Sequence, residues 1–273
     1  MEKRIKQQDR ISRILRELQV NGVVHITELS RTLQVSPATV RKDLLYLEEV
    51  GRLSRVSGGA IAHAVTTRVF GSDCVPRTRN MELKQCVAKE AAKLVHDRDS
   101  LIVTSGATPH LTMIYASQCR NLMILTDSLN IAGDMCRRKD YQVIILGGEV
   151  YTRDCFIHGR DAVSQVNRYM ADKAIMTMDG VDAEAGLSTL RVEGADTLKS
   201  IMARARERII VADITKIGEE SFCHIGDISS IDVLVTNKTD DPEKLRVLQR
   251  IADAGVAIRY AEVTCEDRIP DYE

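Results

Sequence analysis

His25–Ile61 reads HITELSRTLQVSPATVRKDLLYLEEVGRLSRVSGGAI, and the rest of the chain is organised around this stretch. Ile26, Leu29 and Leu33 recur at helical spacing, and Val40, Leu44 and Leu47 repeat the pattern after a short break. Each segment therefore carries one narrow apolar stripe, as a helix with a single buried face does. Ser36 offers a side-chain oxygen to the first unpaired N–H groups of the second helix, and Pro37 suits the first helical position, where a missing N–H is no loss. Opposite the second stripe lie Ala38, Thr39, Arg41, Lys42 and Tyr46. Small residues at the start of a helix let it enter the roughly 12 Å major groove of DNA, and cations one turn later reach guanine edges or phosphates. Gly51 ends the helix, and Leu53 to Val56 followed by Gly58 and Gly59 predicts a two-stranded wing with Arg52 and Arg55 on it. A solvated polar face accounts for any one of these charges, but not for the ordered series of helix, turn, capped basic helix and glycine-rich wing.

Upstream, Ile11, Ile14, Leu15 and Leu18 predict a preceding helix over Ile5 to Gln19 that completes a three-helix core. Lys3, Arg4, Lys6 and Arg10 at its start are either phosphate contacts or a solvated helix end. The charge distribution agrees with a nucleic-acid partner at this end. Residues 1–62 hold 11 Lys/Arg against 7 Asp/Glu, a balance of +4, whereas the remaining 27 against 32 give −5, for a net −1 overall.

At 273 residues the chain is too long for a winged helix alone, and 44% hydrophobic with 28% charged residues is ordinary for a soluble globular protein. Seven cysteines are scattered with no C-x-x-C pair, and an odd count without a signal peptide predicts reduced thiols rather than a disulfide framework. No apolar run approaches the roughly 20 residues that span a bilayer. The leading MEKRIKQQDR lacks the apolar centre of a targeting segment, so a cytoplasmic location is expected. His110, His158 and His224 form no H-x-x-H array, and neither a metal nor another cofactor is expected.

Residues 62–80 show no sustained period and contain Gly71 and Pro76, which marks a linker. The expected organisation is a DNA-binding domain over 1–62, a linker over 63–80, a second domain over 81–262 and a tail over 263–273. After a helix from Met81 to about Asp97, short apolar runs begin at Leu101, Met123, Val143, Ala174, Ile209 and Val233, with helical patterns between several of them and a last edge run at Val256 to Tyr260. Such alternation predicts an α/β domain with a mostly parallel sheet covered on both faces. Ligands of such sheets bind beyond the strand ends, where backbone N–H groups and helix dipoles converge.

The residues just past each run are therefore the candidate site. They are Ser105, Gly106, Ala107 and Thr108 after the first, Asp127 and Ser128 after the second, and Gly147 and Gly148 after the third. Asp179 and Gly180 follow the fourth, and Asp213 and Lys216 the fifth. Gly106 with neighbouring hydroxyls suits a phosphate, carboxylates suit sugar hydroxyls, and Lys216 would neutralise an anion. Gly-Gly and Asp-Gly are also plain turn signals, so repetition after nearly every strand is what points to a site.

The segment VSPATVRKDLLYLEEVGRLSRVSGGA resembles the winged helix-turn-helix of the DeoR family of bacterial transcriptional regulators. The second half resembles the same family in SGAT (Ser105 to Thr108), TDSLNIA (Thr126 to Ala132), LGGE (Leu146 to Glu149), MDGVDAEAGLST (Met178 to Thr189) and ADITKIG (Ala212 to Gly218). The resemblance implies a second domain similar in fold to ribose-5-phosphate isomerase that senses a small phosphorylated sugar and mediates a homodimer or homotetramer. It further implies operator DNA as partner, repression of carbohydrate genes, and roles for Glu193 and Lys199, which fall where the family tends to carry an acidic residue and a lysine. The family loop commonly begins with Asp and continues Ser-Gly-Thr-Thr-Thr, but Thr104, Ala107 and Pro109 stand at three of those places, and Asp127 replaces a usual Asn. Two other readings stay open at this point: a sugar-phosphate isomerase or deaminase with an N-terminal extension, and a DNA-binding protein whose second domain only oligomerises.

Overall fold

The computed structural model describes residues 10, 11, 13–15, 17, 18, 23–49, 53–56, 58–62 and 80–262. The chain divides into two compact units, Met1–Thr66 and Thr67–Glu273. The linker expected over 63–80 lies outside the described residues except for Asn80, as does the tail at 263–273.

In the first unit, described residues between 10 and 18 are helical (α1) and are followed by β1 (Val23–His25), α2 (Ile26–Thr32), α3 (Pro37–Glu49), β2 (Leu53–Val56) and β3 (Gly59–Ala62). The apolar stripes close on one another. Ile14, Leu18, Leu29, Leu33, Val40, Leu44 and Leu47 form one core with Val24, Leu53 and Ala60 from the wing. The wing has three strands rather than the expected two, in the order β1-β3-β2, because Val23–His25 adds to the hairpin with Val24 opposite Ala60. That pairing requires Gly59, since a Cβ there would stand 2.0 Å from the Val24 carbonyl oxygen. Ser36 caps α3, its Oγ accepting the Thr39 N–H at 3.2 Å. Arg10 does not reach outward for phosphate: its guanidinium forks onto buried Asp43 of α3, Nε to Oδ2 at 2.7 Å and Nη2 to Oδ1 at 3.0 Å.

The second unit is built on a seven-stranded sheet. Its elements in chain order are α4 (Met81–Ala92), β4 (Ser100–Val103), α5 (Ala107–Tyr115), β5 (Met123–Thr126), α6 (Leu129–Met135) and β6 (Gln142–Ile145). A hairpin, β7 (Glu149–Tyr151) with β8 (Phe156–His158), precedes α7 (Arg160–Val166) and β9 (Ala171–Met176). Then come β10 (Gly180–Asp182), β11 (Gly186–Thr189), α8 (Val192–Met202), β12 (Ala205–Val211), β13 (Cys223–Gly226), β14 (Val233–Asn237), α9 (Pro242–Asp253) and β15 (Ala257–Ala261). The sheet order is β15-β14-β12-β9-β4-β5-β6, with every neighbouring pair parallel. Strand side chains alternate between faces. Leu101, Val103, Ile175, Ile209 and Val211 pack with α4, α5 and α6 on one side, while Ile102, Ala174, Met176 and Ile210 pack with α7, α8 and α9 on the other. Burial on both faces is why the strands read as continuous apolar runs rather than alternating ones.

From β4 the chain moves outward through β5 to β6, then returns to β9 on the opposite flank of β4 and proceeds outward through β12, β14 and β15. The order reverses once, between β4 and β9, which is where an open α/β sheet leaves a crevice at its strand ends. A smaller antiparallel sheet, β10-β11-β13, lies beyond the β9 exit. No helix among the described residues is long and apolar enough to cross a membrane. Cys119, Cys136 and Cys223 are free, but Cys155 is disulfide-bonded, which departs from the expectation that all seven thiols are reduced.

Candidate ligand cavity and nucleic-acid interface

A cavity of about 200 Å³ opens at the carboxyl ends of β4, β5, β9 and β12, over the point where the strand order reverses. It is sized for a small metabolite, since pockets for drug-sized ligands run from about 300 Å³ upward. Ser105, Gly106, Ala107 and Thr108 form one wall as the chain leaves β4 and enters α5. Gly106 has φ +142°, and a Cβ on it would meet Thr177 Cγ2 at 2.6 Å, so both conformation and close approach to the β9 exit demand glycine. The unpaired N–H groups that begin α5 face an anion-binding position by the geometry of any helix start. Thr104 is buried, and its Oγ1 has no hydrogen-bond partner among the described residues.

Asp127 lies at the β5 exit, 3% exposed, with Oδ1 accepting the Ser105 N–H at 2.6 Å. Burial pushes its carboxyl up to about 7, against the opposing pull of the Ser105 amide. Beside it Ser128 caps α6, its Oγ accepting the Ile131 N–H. The β7–β8 hairpin is tied to this exit by Ile157 N–H to Asp127 O and Leu129 N–H to Cys155 O, which carries Asp154 and Phe156 to the cavity.

Asp179, past β9, accepts from Thr189 Oγ1 and Leu190 N–H, both at 3.0 Å, and faces Arg191 at 3.5 Å and Lys216 at 3.7 Å. Burial disfavours its charge, but these donors and cations outweigh burial and hold the carboxyl below its ordinary value. Arg191 also pairs with Asp154, Nε to Oδ2 at 2.7 Å, joining the hairpin to the loop after β11. Asp213 caps the single turn Ile214–Lys216 through the Thr215 N–H. Lys84 of α4 lines the same end, and burial lowers the pKa of its amine while Asp213 opposes the shift. His110 of α5 completes the wall, with Nε2 2.7 Å from Oδ2 of buried Asp134 on α6.

The cavity thus gathers Ser105, Gly106, Ala107, Thr108, Asp127, Ser128, Asp179, Asp213 and Lys216 from the sequence reading. Five others do not line it. Gly147 is clasped by the Gln165 amide, Gly148 packs against the His158 carbonyl, and Gly180 lies in β10 against Glu219 O and Ser188 Oγ. Glu193 and Lys199 are exposed on α8, whose cavity side is instead Gly194 and Leu198, one residue away from each. Lys84, Asp154 and Arg191 also line it, but they come from a helix, a hairpin tip and a loop that no strand-end rule selects, and His110 stands in the sequence only as a lone histidine.

In the first unit Ser36, Ala38, Arg41, Lys42 and Tyr46 are exposed on one side of α3, and Thr39 is half-buried. Arg55 stands on β2 opposite Ala60, and Arg52 lies outside the described residues.

Residues 79–238 match the family model described as the DeoR C terminal sensor domain, and residues 10–66 match the DeoR-like helix-turn-helix domain. The chain is similar to the glycerol-3-phosphate regulon repressor of Escherichia coli (strain K12), 27% identical over 93% of this chain and 99% of the relative. It is similar also to the transcriptional repressor GlcR of Bacillus subtilis (strain 168), 26% identical over 89% and 93%. The lactose phosphotransferase system repressor of Streptococcus mutans is 27% identical over 91% and 99%. Among solved structures, a ribose 5-phosphate isomerase from Methanocaldococcus jannaschii aligns with 51% of this chain and 55% of its own, at 21% identity and a TM-score of 0.36.

Proposed function

This chain belongs to the DeoR family of transcriptional regulators, and from that membership we propose that it is a cytoplasmic repressor of carbohydrate-metabolism genes, released or engaged by a small phosphorylated sugar. The observation that carries the proposal is the mixed lining of the cavity at the strand-order reversal. A helix start and the amines of Lys84 and Lys216 suit a phosphate, while Asp127, Asp154, Asp179 and Asp213 suit hydroxyls on the same small molecule. The first unit then reads operator DNA through α3, with Ser36, Ala38, Thr39, Arg41, Lys42 and Tyr46, together with Arg52 and Arg55 of the sequence that follows, as its DNA-binding set. A homodimer or homotetramer would present two such helices to paired half-sites.

We read the cavity as sensing rather than catalytic. Asp179 is committed to two hydrogen bonds and two cations, and Asp213 to a cap. An isomerase needs a carboxylate free to move a proton beside the substrate carbon, and of the cavity's acids Asp127, raised to about 7, retains that capacity, so a turnover assay separates the two readings. Incubation with pentose and hexose phosphates is expected to give no turnover, while thermal denaturation with the same panel is expected to reveal at least one ligand that raises Tm, as binding to the native state requires. Arg41→Ala and Lys42→Ala should each weaken operator binding by about 1 to 3 kcal/mol where the residue reads a base. Turnover above background, or operator affinity unchanged in both variants, would count against the reading.

A further inference from the structure

Leu45 is out of place on a helix whose other branched aliphatic residues, Val40, Leu44 and Leu47, face inward. Its neighbours Leu44 and Leu47 are fully buried in the first unit's core, yet Leu45 is 42% exposed, next to Tyr46 at 47%. Counting along α3, Ala38, Arg41, Lys42 and Leu45 stand at i, i+3, i+4 and i+7, so they share one face. The two exposed cations lie one turn before the leucine. That spacing is the one by which a helix lying in the major groove brings successive side chains to base edges.

A leucine in that position has neither donor nor acceptor. Set against the N7 and O6 of guanine or the N4 amino group of cytosine, it would strip water from a polar group and return nothing. The thymine 5-methyl is the one apolar group that the major-groove edge offers. Resting on the DNA-binding reading above, we propose that Leu45 contacts the 5-methyl of a thymine in each operator half-site and sets the base preference there. Arg41 and Lys42 supply the charge complementarity that brings this face onto a polyanion; Leu45 supplies discrimination that charge cannot.

The test uses the full chain and a duplex selected by it from a randomised pool. Each dT of the selected sequence is converted in turn to dU, which removes a methyl and leaves every hydrogen-bonding group in place. One position per half-site is expected to lose about four-fold in affinity, the worth of one buried methyl group. Leu45→Ala should bind the dT and dU duplexes equally. Because Leu45 is exposed, the variant should fold as the parent does; Leu45→Gln provides a second reading, with the preferred base at that position shifting from T toward A, whose N6 and N7 a glutamine amide matches. A dU series silent at every position, or a dT-to-dU penalty that persists in Leu45→Ala, overturns the proposal and leaves the DNA-binding reading intact. A fall in the molecular mass of the protein alone on Leu45→Ala also overturns it, since the leucine then meets a second copy. A pool that yields no enriched sequence overturns the DNA-binding reading itself.

Discussion

Two carboxylates show how one residue type takes opposite roles according to what surrounds it. Asp43 is buried, but a guanidinium answers both of its oxygens. Removing one partner of such a pair strands the other, which typically costs about 3 kcal/mol or more, whereas replacing both by apolar residues of similar volume is often close to neutral. Asp43→Ala should therefore lower the urea midpoint of the first unit by more than the double variant Arg10→Met with Asp43→Leu does; equal losses would mean that the ion pair itself, rather than an arginine deprived of this carboxylate, is what matters. Asp127 is as buried but is answered by backbone amides, those of Ser105 and of its own residue, rather than by a cation, and its value of about 7 stands above the ordinary 3.8. A raised acid pKa means that folding takes up a proton between about pH 4 and pH 7, so stability falls across that window as pH rises and levels off above it. The full effect is on the order of 4 kcal/mol, about three units at roughly 1.4 kcal/mol each. Asp127→Asn keeps an acceptor for Ser105 and has no charge to bury, so urea melts from pH 4 to 8 should show its slope flattened and its stability above pH 7 raised. A slope unchanged by the substitution would place the titrating group elsewhere.

At the scale of elements, the loop from Ser105 into α5 has the most restrictive geometry. Gly106→Ala asks an L-residue to hold φ +142° and to place its methyl 2.6 Å from Thr177 Cγ2. Strain of this kind typically costs about 1 to 3 kcal/mol, and relief requires the loop to leave the β9 exit. The variant is expected to lose the Tm rise given by any sugar phosphate that stabilises the parent, while operator affinity without ligand is retained. Gly147→Ala is the matched control, because its Cβ would meet only the end of the Gln165 side chain and the residue does not line the cavity. A ligand response lost equally in both would mean that general loosening, not the loop, is responsible. The same elements explain what the sequence could disclose. Strand exits at Ser105, Asp127, Asp179 and Asp213 are legible because each follows an apolar run that only a doubly covered strand needs. Gly147 and Gly148 followed an equally clear run, but β6 sits at the sheet edge, two strands from the reversal, and strand order is not written in periodicity. Asp154 escaped because β7 and β8 are three residues each, too short for a pattern, and Lys84 because nothing in α4 says which neighbour its half-buried face will meet. Val23–His25 was lost from the wing for the same reason: three residues carry no period, and their partner strand lies more than 30 residues on.

The whole molecule separates its charges. Residues 1–62 balance at +4 and the rest at −5, so attraction to a phosphate backbone belongs to one unit while the chain as a whole is near neutral. Affinity for operator should therefore fall steeply with salt, and each cation that answers a phosphate should remove about 0.9 from the slope of log K against log salt when replaced by alanine. Regulation asks for more than two sites on one chain, because a ligand shifts an equilibrium only by the difference between its affinities for the two states. Linkage then fixes the result in both directions: a sugar phosphate that weakens operator binding tenfold must itself bind tenfold more weakly when operator is saturating, a coupling of about 1.4 kcal/mol read from either side. Calorimetric titration of ligand into free protein and into the operator complex gives one factor, and operator titration with and without ligand gives the other. The two are expected to agree for the parent chain and both to fall to one in Gly106→Ala, since the loop that meets the ligand is where the two states must differ in affinity. Factors that disagree would mean that ligand and operator do not act through the same pair of states, and a Gly106→Ala protein still released from operator by the ligand would move the sensing site away from the β4 exit.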